Sequence, residues 1–196
     1  ETSFNIYQDI KEGTIANTLT KPVSYRLRYL FTYMGSFALG FVLIMLPLLS
    51  ITLIIFGFLG VITFSLTSIL NILLFLCFTI LACFINDAIC FFVGLLTFFT
   101  EHMFGLNMFK NAIQNFTSGT MVPLSYMGFV GVIFSFTPFA FLNSTPVLVL
   151  MGKIAPLSGL KYIGIAVFWI FLLEFVNHCL FSYCIKKVTV QGGWYD

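Results

Sequence analysis

Tyr29 to Asn86 reads YLFTYMGSFALGFVLIMLPLLSITLIIFGFLGVITFSLTSILNILLFLCFTILACFIN, 58 residues without a single Asp, Glu, Lys, Arg or His. One helix of that length would stretch roughly 87 Å at ~1.5 Å per residue. The hydrocarbon core of a bilayer is only about 30 Å thick. The run must therefore cross a membrane and return, and a second uncharged run, Asn111 to Gly152, repeats the message. The expected fold class is all-α: a polytopic transmembrane helical bundle.

Composition agrees. Hydrophobic residues make up 60% of the chain and charged residues 8%, with 26 Phe; soluble domains carry about 25% charged residues. The basic residues are Lys11, Lys21, Arg26, Arg28, Lys110, Lys153, Lys161, Lys186 and Lys187, too dispersed for a nucleic-acid surface. Cys77, Cys83, Cys90, Cys179 and Cys184 lie in apolar stretches without CxxC spacing or neighbouring His. They read as small hydrophobes packed between helices. The chain opens on polar Glu1-Thr2-Ser3 without an initiator Met, unlike a secretory leader. A fragment of a longer chain is expected.

Residues 1–28 form a polar segment. Phe4, Tyr7 and Ile10 recur at i, i+3 and i+6 beside Asp9, Lys11 and Glu12, which predicts a short amphipathic helix interrupted at Gly13-Thr14. Residues 29–196 form the membrane domain. Its first span is expected from Tyr29 to Ile55 with a kink at Pro47, then a turn within Gly57 to Thr67. The second runs from Ser68 to Thr100, with Glu101-His102 at its exit. The third runs from Leu106 to Val122 and is stopped by Pro123, and the last from Leu160 to Ile185. Gly128, Gly131, Pro138 and Pro146 interrupt residues 124–151. Broken helices at membrane depth persist only where protein or a cavity covers them, so a re-entrant hairpin on the outer side is expected. Four spans leave seven of the nine basic residues on one side and only Lys153 and Lys161 on the other. By the positive-inside rule both observed ends are then cytoplasmic.

Within this frame, Asn107, Lys110, Asn111, Gln114, Asn115 and Ser118 of the third span share about 140° of arc at ~100° per residue. Phe109, Ile113 and Phe116 lie opposite. Polar groups are costly in lipid, so this stripe reads as a path lining, a subunit seam or interhelical glue, with Lys110 snorkelling to water. Glu174, Asn177 and His178 share a face of the last span. Glu174 and His178 are spaced to pair at i, i+4, and Asp87 is a further intramembrane acid. Catalytic and metal-binding constellations are missing: the sequence has no HExxH, no GxSxG and no phosphate-cradling Gly loop. With no ATP site in the chain, energy must come from a gradient or a separate subunit.

The segment Asp9-Ile10-Lys11-Glu12-Gly13-Thr14-Ile15, followed by Leu19 and Lys21-Pro22-Val23-Ser24, resembles the "I-R-x-G-x-I…L…R-P-V-S" stretch of type 2 ABC-exporter permeases. Ser118-Gly119-Thr120-Met121-Val122-Pro123-Leu124, Pro138-Phe139, Pro146-Val147 and Gly152 resemble that family's "SG-x-x-x-P-L…L-P-F…P-V…G" region. Gln191-Gly192-Gly193 is similar to its C-terminal "x-G-G". Met127-Gly128 stands where the family usually has Phe-Pro. The resemblance implies six spans, two of them preceding this chain, and a second permease subunit. It also implies cytoplasmic ATPase subunits that carry ATP and Mg, with residues 9–15 as the coupling segment. The expected function is export of an amphipathic or hydrophobic cargo. A proton-coupled secondary transporter half using Asp87 and Glu174, or an intramembrane enzyme using Glu174 and His178, remain the alternatives.

Overall fold

The structure is a computed structural model that describes residues 2–15, 23–58, 66–100 and 102–190. Several expected features lie outside the described residues: Leu19 to Pro22, most of the turn within 57–67, Glu101, and the terminal Gln191-Gly192-Gly193. The described chain is helical and contains no strand.

Helix α1 spans Thr2–Lys11. It ends where Gly13 takes a left-handed φ of 69°, a conformation glycine reaches without steric cost. The face it turns to the bundle is not the Phe4–Tyr7–Ile10 stripe. Thr2, Ser3 and Ile6 are buried and Phe4 is exposed. The reason lies in the neighbour: Gly94 opens a gap in the facing helix that Ile6 fills.

Helix α2 spans Tyr25–Phe58. Between α-helical Tyr25–Gly40 and Leu46–Phe58 it widens into a π-turn at Phe41–Met45. Pro47 explains the widening. It has no N–H to give the Leu43 carbonyl, and its ring crowds that oxygen. The Leu46 N–H accordingly bonds the Phe41 carbonyl one residue further back. The helix starts four residues before the expected span and so takes in Arg26 and Arg28.

Helix α3, Leu66–Leu96, is the centre of the bundle. It touches α1, α2, the helices at Met103–Thr117, Ser144–Leu150 and Pro156–Val190, and the turn at Pro138–Leu142. Helix α4, Met103–Thr117, has 15 residues, where the expected span had Leu106 to Val122. At roughly 22 Å it is shorter than a bilayer core. The chain leaves it through Gly119, whose φ is 80°. Two short helices follow, α5 at Gly128–Ser135 and α6 at Ser144–Leu150, each preceded by a 3₁₀ turn (Leu124–Tyr126 and Pro138–Leu142). Pro138 and Pro146 sit in first turns, where a missing N–H costs nothing. Helix α7, Pro156–Val190, closes the chain. Trp169 Nε1 donates to the Phe136 carbonyl at 2.8 Å, pinning the hairpin to α7.

Two cores sit toward opposite ends of α3. One joins Ile6, Ile15, Tyr25, Tyr29, Phe91 and Leu95, and receives Phe181 of α7. The other joins Phe78, Ile85, Ile89, Phe141, Val149 and Ala166, and belongs to the hairpin. Helix α4 links the two ends: Lys110 reaches Cys90, while Ser118 reaches Asn143. Among the described residues, three helices are long and apolar enough to cross a membrane: Tyr25–Phe58, Thr67–Leu96 and Pro156–Lys186. Beyond its first turns α2 exposes large apolar side chains such as Leu43, Ile44 and Phe58.

Candidate functional site

Helix α1 is held on the bundle by polar contacts as well as by Ile6. Thr2 Oγ1 donates to Asp87 Oδ1 at 2.9 Å, and Ser3 Oγ donates to Asn107 Oδ1 at 3.2 Å. At the other end of the segment, Asp9 accepts from Tyr29 Oη at 2.5 Å, Tyr25 Oη at 3.3 Å and Thr14 Oγ1 at 3.0 Å. Asp9 and Ile15 therefore point into the protein. Lys11, Glu12 and Gly13 are the exposed members of the segment, with Ile10 and Thr14 half-buried. Tyr25 stacks on Phe181 at 5.3 Å between ring centres, which ties this corner to α7.

Next to Thr2 lies a cluster of three charges. Arg26 Nη1 is 2.6 Å from Asp87 Oδ2, and Asp87 is 1% exposed. The opposite edge of the same guanidinium grips Glu174: Nε donates to Oε2 at 3.0 Å and Nη2 to Oε1. The face of the guanidinium lies 4.5 Å from the Phe91 ring centre, within cation–π range. The expected Glu174–His178 pair does not form, because the rigid guanidinium fork offers a carboxylate two parallel charged donors that an imidazole cannot match. His178 is exposed instead. Asn177 is buried and donates to the Ala88 carbonyl at 3.0 Å, which stitches α7 to α3.

The polar stripe of α4 divides. Asn107, Lys110 and Ser118 turn to protein, Gln114 is half-buried, and Asn111 and Asn115 are exposed. Lys110 does not snorkel. It is 8% exposed, and its ammonium lies 3.5 Å from Cys90 Sγ. Ser118 is fully buried; it accepts from Asn143 Nδ2 at 3.3 Å and so joins the stripe to the hairpin. Phe109 and Phe116, opposite, are exposed.

Residues 1–192 match a family described as ABC-2 family transporter protein. The chain belongs to the ABC-2 transporter family. No curated protein and no solved structure matches it. The long apolar helices and the exposed apolar faces are those of a membrane-embedded permease, and such permease subunits are generally not enzymes themselves.

In this ABC-2 permease, a grouping of three or more His, Cys, Asp or Glu able to hold a metal is not found among the described residues. Two grooves flank the structural features above. One of about 520 Å³ lies between α1 and the start of α4, lined by Phe4, Tyr7, His102 and Asn107. The other, about 240 Å³, opens between the hairpin and α7 near Ser125, Ser135, Thr145 and Tyr162. Sequence reading missed Arg26 as the partner of both intramembrane acids. A buried acid on one long apolar helix and a half-buried acid on another call for a cation, and Arg26, at the very start of α2, was the available signal.

Proposed function

We propose that this permease is the transmembrane subunit of an ATP-driven exporter. In this reading, cytoplasmic ATPase subunits that hold ATP and Mg engage the α1 segment, and two permease subunits pair so that a path between them opens outward. The observation that carries it is the anchoring of α1. A buried hydrogen bond from Thr2 and a part-buried one from Ser3 tie a short, partly charged segment to α3 and α4. A force on exposed Lys11 and Glu12 would thus be delivered to membrane helices rather than absorbed by a loose tail.

In this topology both observed ends are cytoplasmic. Helix α4, with the stretch through Pro123, brings the chain to the outer side, where the hairpin re-enters, with Pro123, Pro138 and Pro146 at the starts of its turns. The path or subunit seam runs along exposed Asn111 and Asn115 and half-buried Gln114, while Asn107, Lys110 and Ser118 of the same stripe hold it to the rest of the permease. The cargo is amphipathic or hydrophobic, since the walls are rich in Phe and poor in charge.

The binding of Asp87 and Glu174 to a common Arg26 weighs against their acting as free proton carriers. The absence of a Glu174–His178 contact weighs against an intramembrane enzyme. The test is purification from native membrane followed by identification of bound proteins and lipids, with transport of the recovered lipid assayed in vesicles. Export should need MgATP and persist when a protonophore collapses the proton gradient. Transport that follows the gradient and ignores ATP overturns the proposal.

A further inference from the structure

We infer that Arg26 is the positioning residue that passes movement of α1 to α3 and α7. This rests on the coupling reading above and adds the route by which the signal enters the bundle.

Arg26 has charged contacts to two other helices of the bundle: Asp87 on α3 and Glu174 on α7. Asp87 divides its carboxylate between two masters. Oδ1 accepts from Thr2 of α1, and Oδ2 faces Arg26. The position of α1 therefore sets how much of Asp87 is left for the guanidinium. With Thr2 seated, Arg26 gives one nitrogen to Asp87 and its full Nε–Nη2 edge to Glu174. With Thr2 withdrawn, Asp87 has both oxygens free and can take the guanidinium edge from Glu174. One cation between two competing carboxylates has two arrangements, and α1 biases the choice, which is what a transmitted conformational signal requires. Phe91 under the guanidinium face holds its plane while the edges change partners.

Stability alone is a poor reason for this cluster. Well-packed apolar side chains of similar volume are commonly as stabilising as a buried ion pair or triad. The contacts also join helices far apart in sequence, at positions 26, 87 and 174, rather than neighbours on one helix.

The experiment uses the permease purified from native membrane with its associated ATPase. Spin labels replace Ile80 on α3 and Phe168 on α7, both exposed apolar positions. Distances are measured with and without MgATP and vanadate. Arg26→Lys keeps the charge but loses the fork, and the triple variant Arg26→Met, Asp87→Asn, Glu174→Gln removes the charges together. Thr2→Val removes only the α1 link. The expected result is that all three variants retain the ATPase subunit and its hydrolysis but lose the nucleotide-driven change in the α3–α7 distance. A change equal to that of the parent in Arg26→Lys and in the triple variant overturns the inference. So does loss of the ATPase subunit or of folding in both, which would make Arg26 a structural residue. If the parent itself brings down no ATPase, the coupling reading fails instead.

Discussion

Thr2 Oγ1 and Asp87 Oδ1 meet at 2.9 Å across 85 positions of sequence, in a site from which water is excluded. This bond places a polar segment with no capacity to cross a membrane against the most buried part of the central helix. It also leaves the second Asp87 oxygen to Arg26, so α1 and the charge cluster share one carboxylate.

Removing that carboxylate should be costly. Asp87→Ala leaves Arg26 half-paired in a buried site, and breaking a buried ion pair costs roughly 3–5 kcal/mol. Asp87→Asn keeps an acceptor for Thr2 and should cost less. Thermal unfolding of the detergent-purified protein should rank parent above Asn above Ala. Equal midpoints for Asn and Ala would mean that the Thr2 contact contributes nothing.

The seat of α1 depends on the missing side chain at Gly94. A Cβ there would lie 2.7 Å from Ile6 Cδ1 and 3.2 Å from the Ser3 Cα. The isoleucine can give way, but the backbone cannot without moving the helix. Gly94→Val should lift α1 and cost about 1–3 kcal/mol, as overpacking does. A cysteine placed at Ser3 should then be labelled much faster than in the parent. Unchanged labelling would show that α1 does not rest on Gly94.

Gly131 is stricter. Its Cβ would fall 1.9 Å from the Leu124 carbonyl oxygen, a backbone atom. Gly131→Ala should open the hairpin and free Trp169 from the Phe136 carbonyl, seen as a red-shifted Trp emission. Gly164→Ala on α7, where nothing lies within 4 Å, should leave emission unchanged.

The two sides of α4 should respond differently. Ser118→Leu forces a larger side chain into a fully buried site and breaks the bond from Asn143, whereas Phe109→Leu changes an exposed one. Leu at 118 should lower membrane yield and thermal stability, and Leu at 109 should do neither. Similar behaviour of the two would remove any special standing from the stripe.

The long helices were legible because hydrocarbon imposes a simple rule: charges are excluded and length is set by bilayer thickness. Tyr25–Phe58, Leu66–Leu96 and Pro156–Val190 follow from it, and the break at Gly13 follows from glycine's access to a left-handed φ. Pro47 announced a disturbance, though not that it would take the form of a π-turn. What composition could not supply was pairing. The face α1 buries is chosen by a glycine on another helix, at position 94, and not by its own apolar stripe. The partner of Glu174 is fixed by the fold that carries Arg26 to it, whereas i, i+4 spacing pointed to His178. Lys110 was expected to reach water, but α4 begins at Met103, ahead of the expected Leu106, so Lys110 lies about two turns in and its side chain turns inward to Cys90.

The most direct test of the account is contact between α1 and an ATP-hydrolysing subunit. A photo-crosslinker at exposed Glu12, activated in native membranes, should capture a protein that binds ATP, and capture should fall when nucleotide releases that protein. Adducts only with lipid, or labelling of position 12 by a membrane-impermeant reagent added from outside intact cells, would contradict the account.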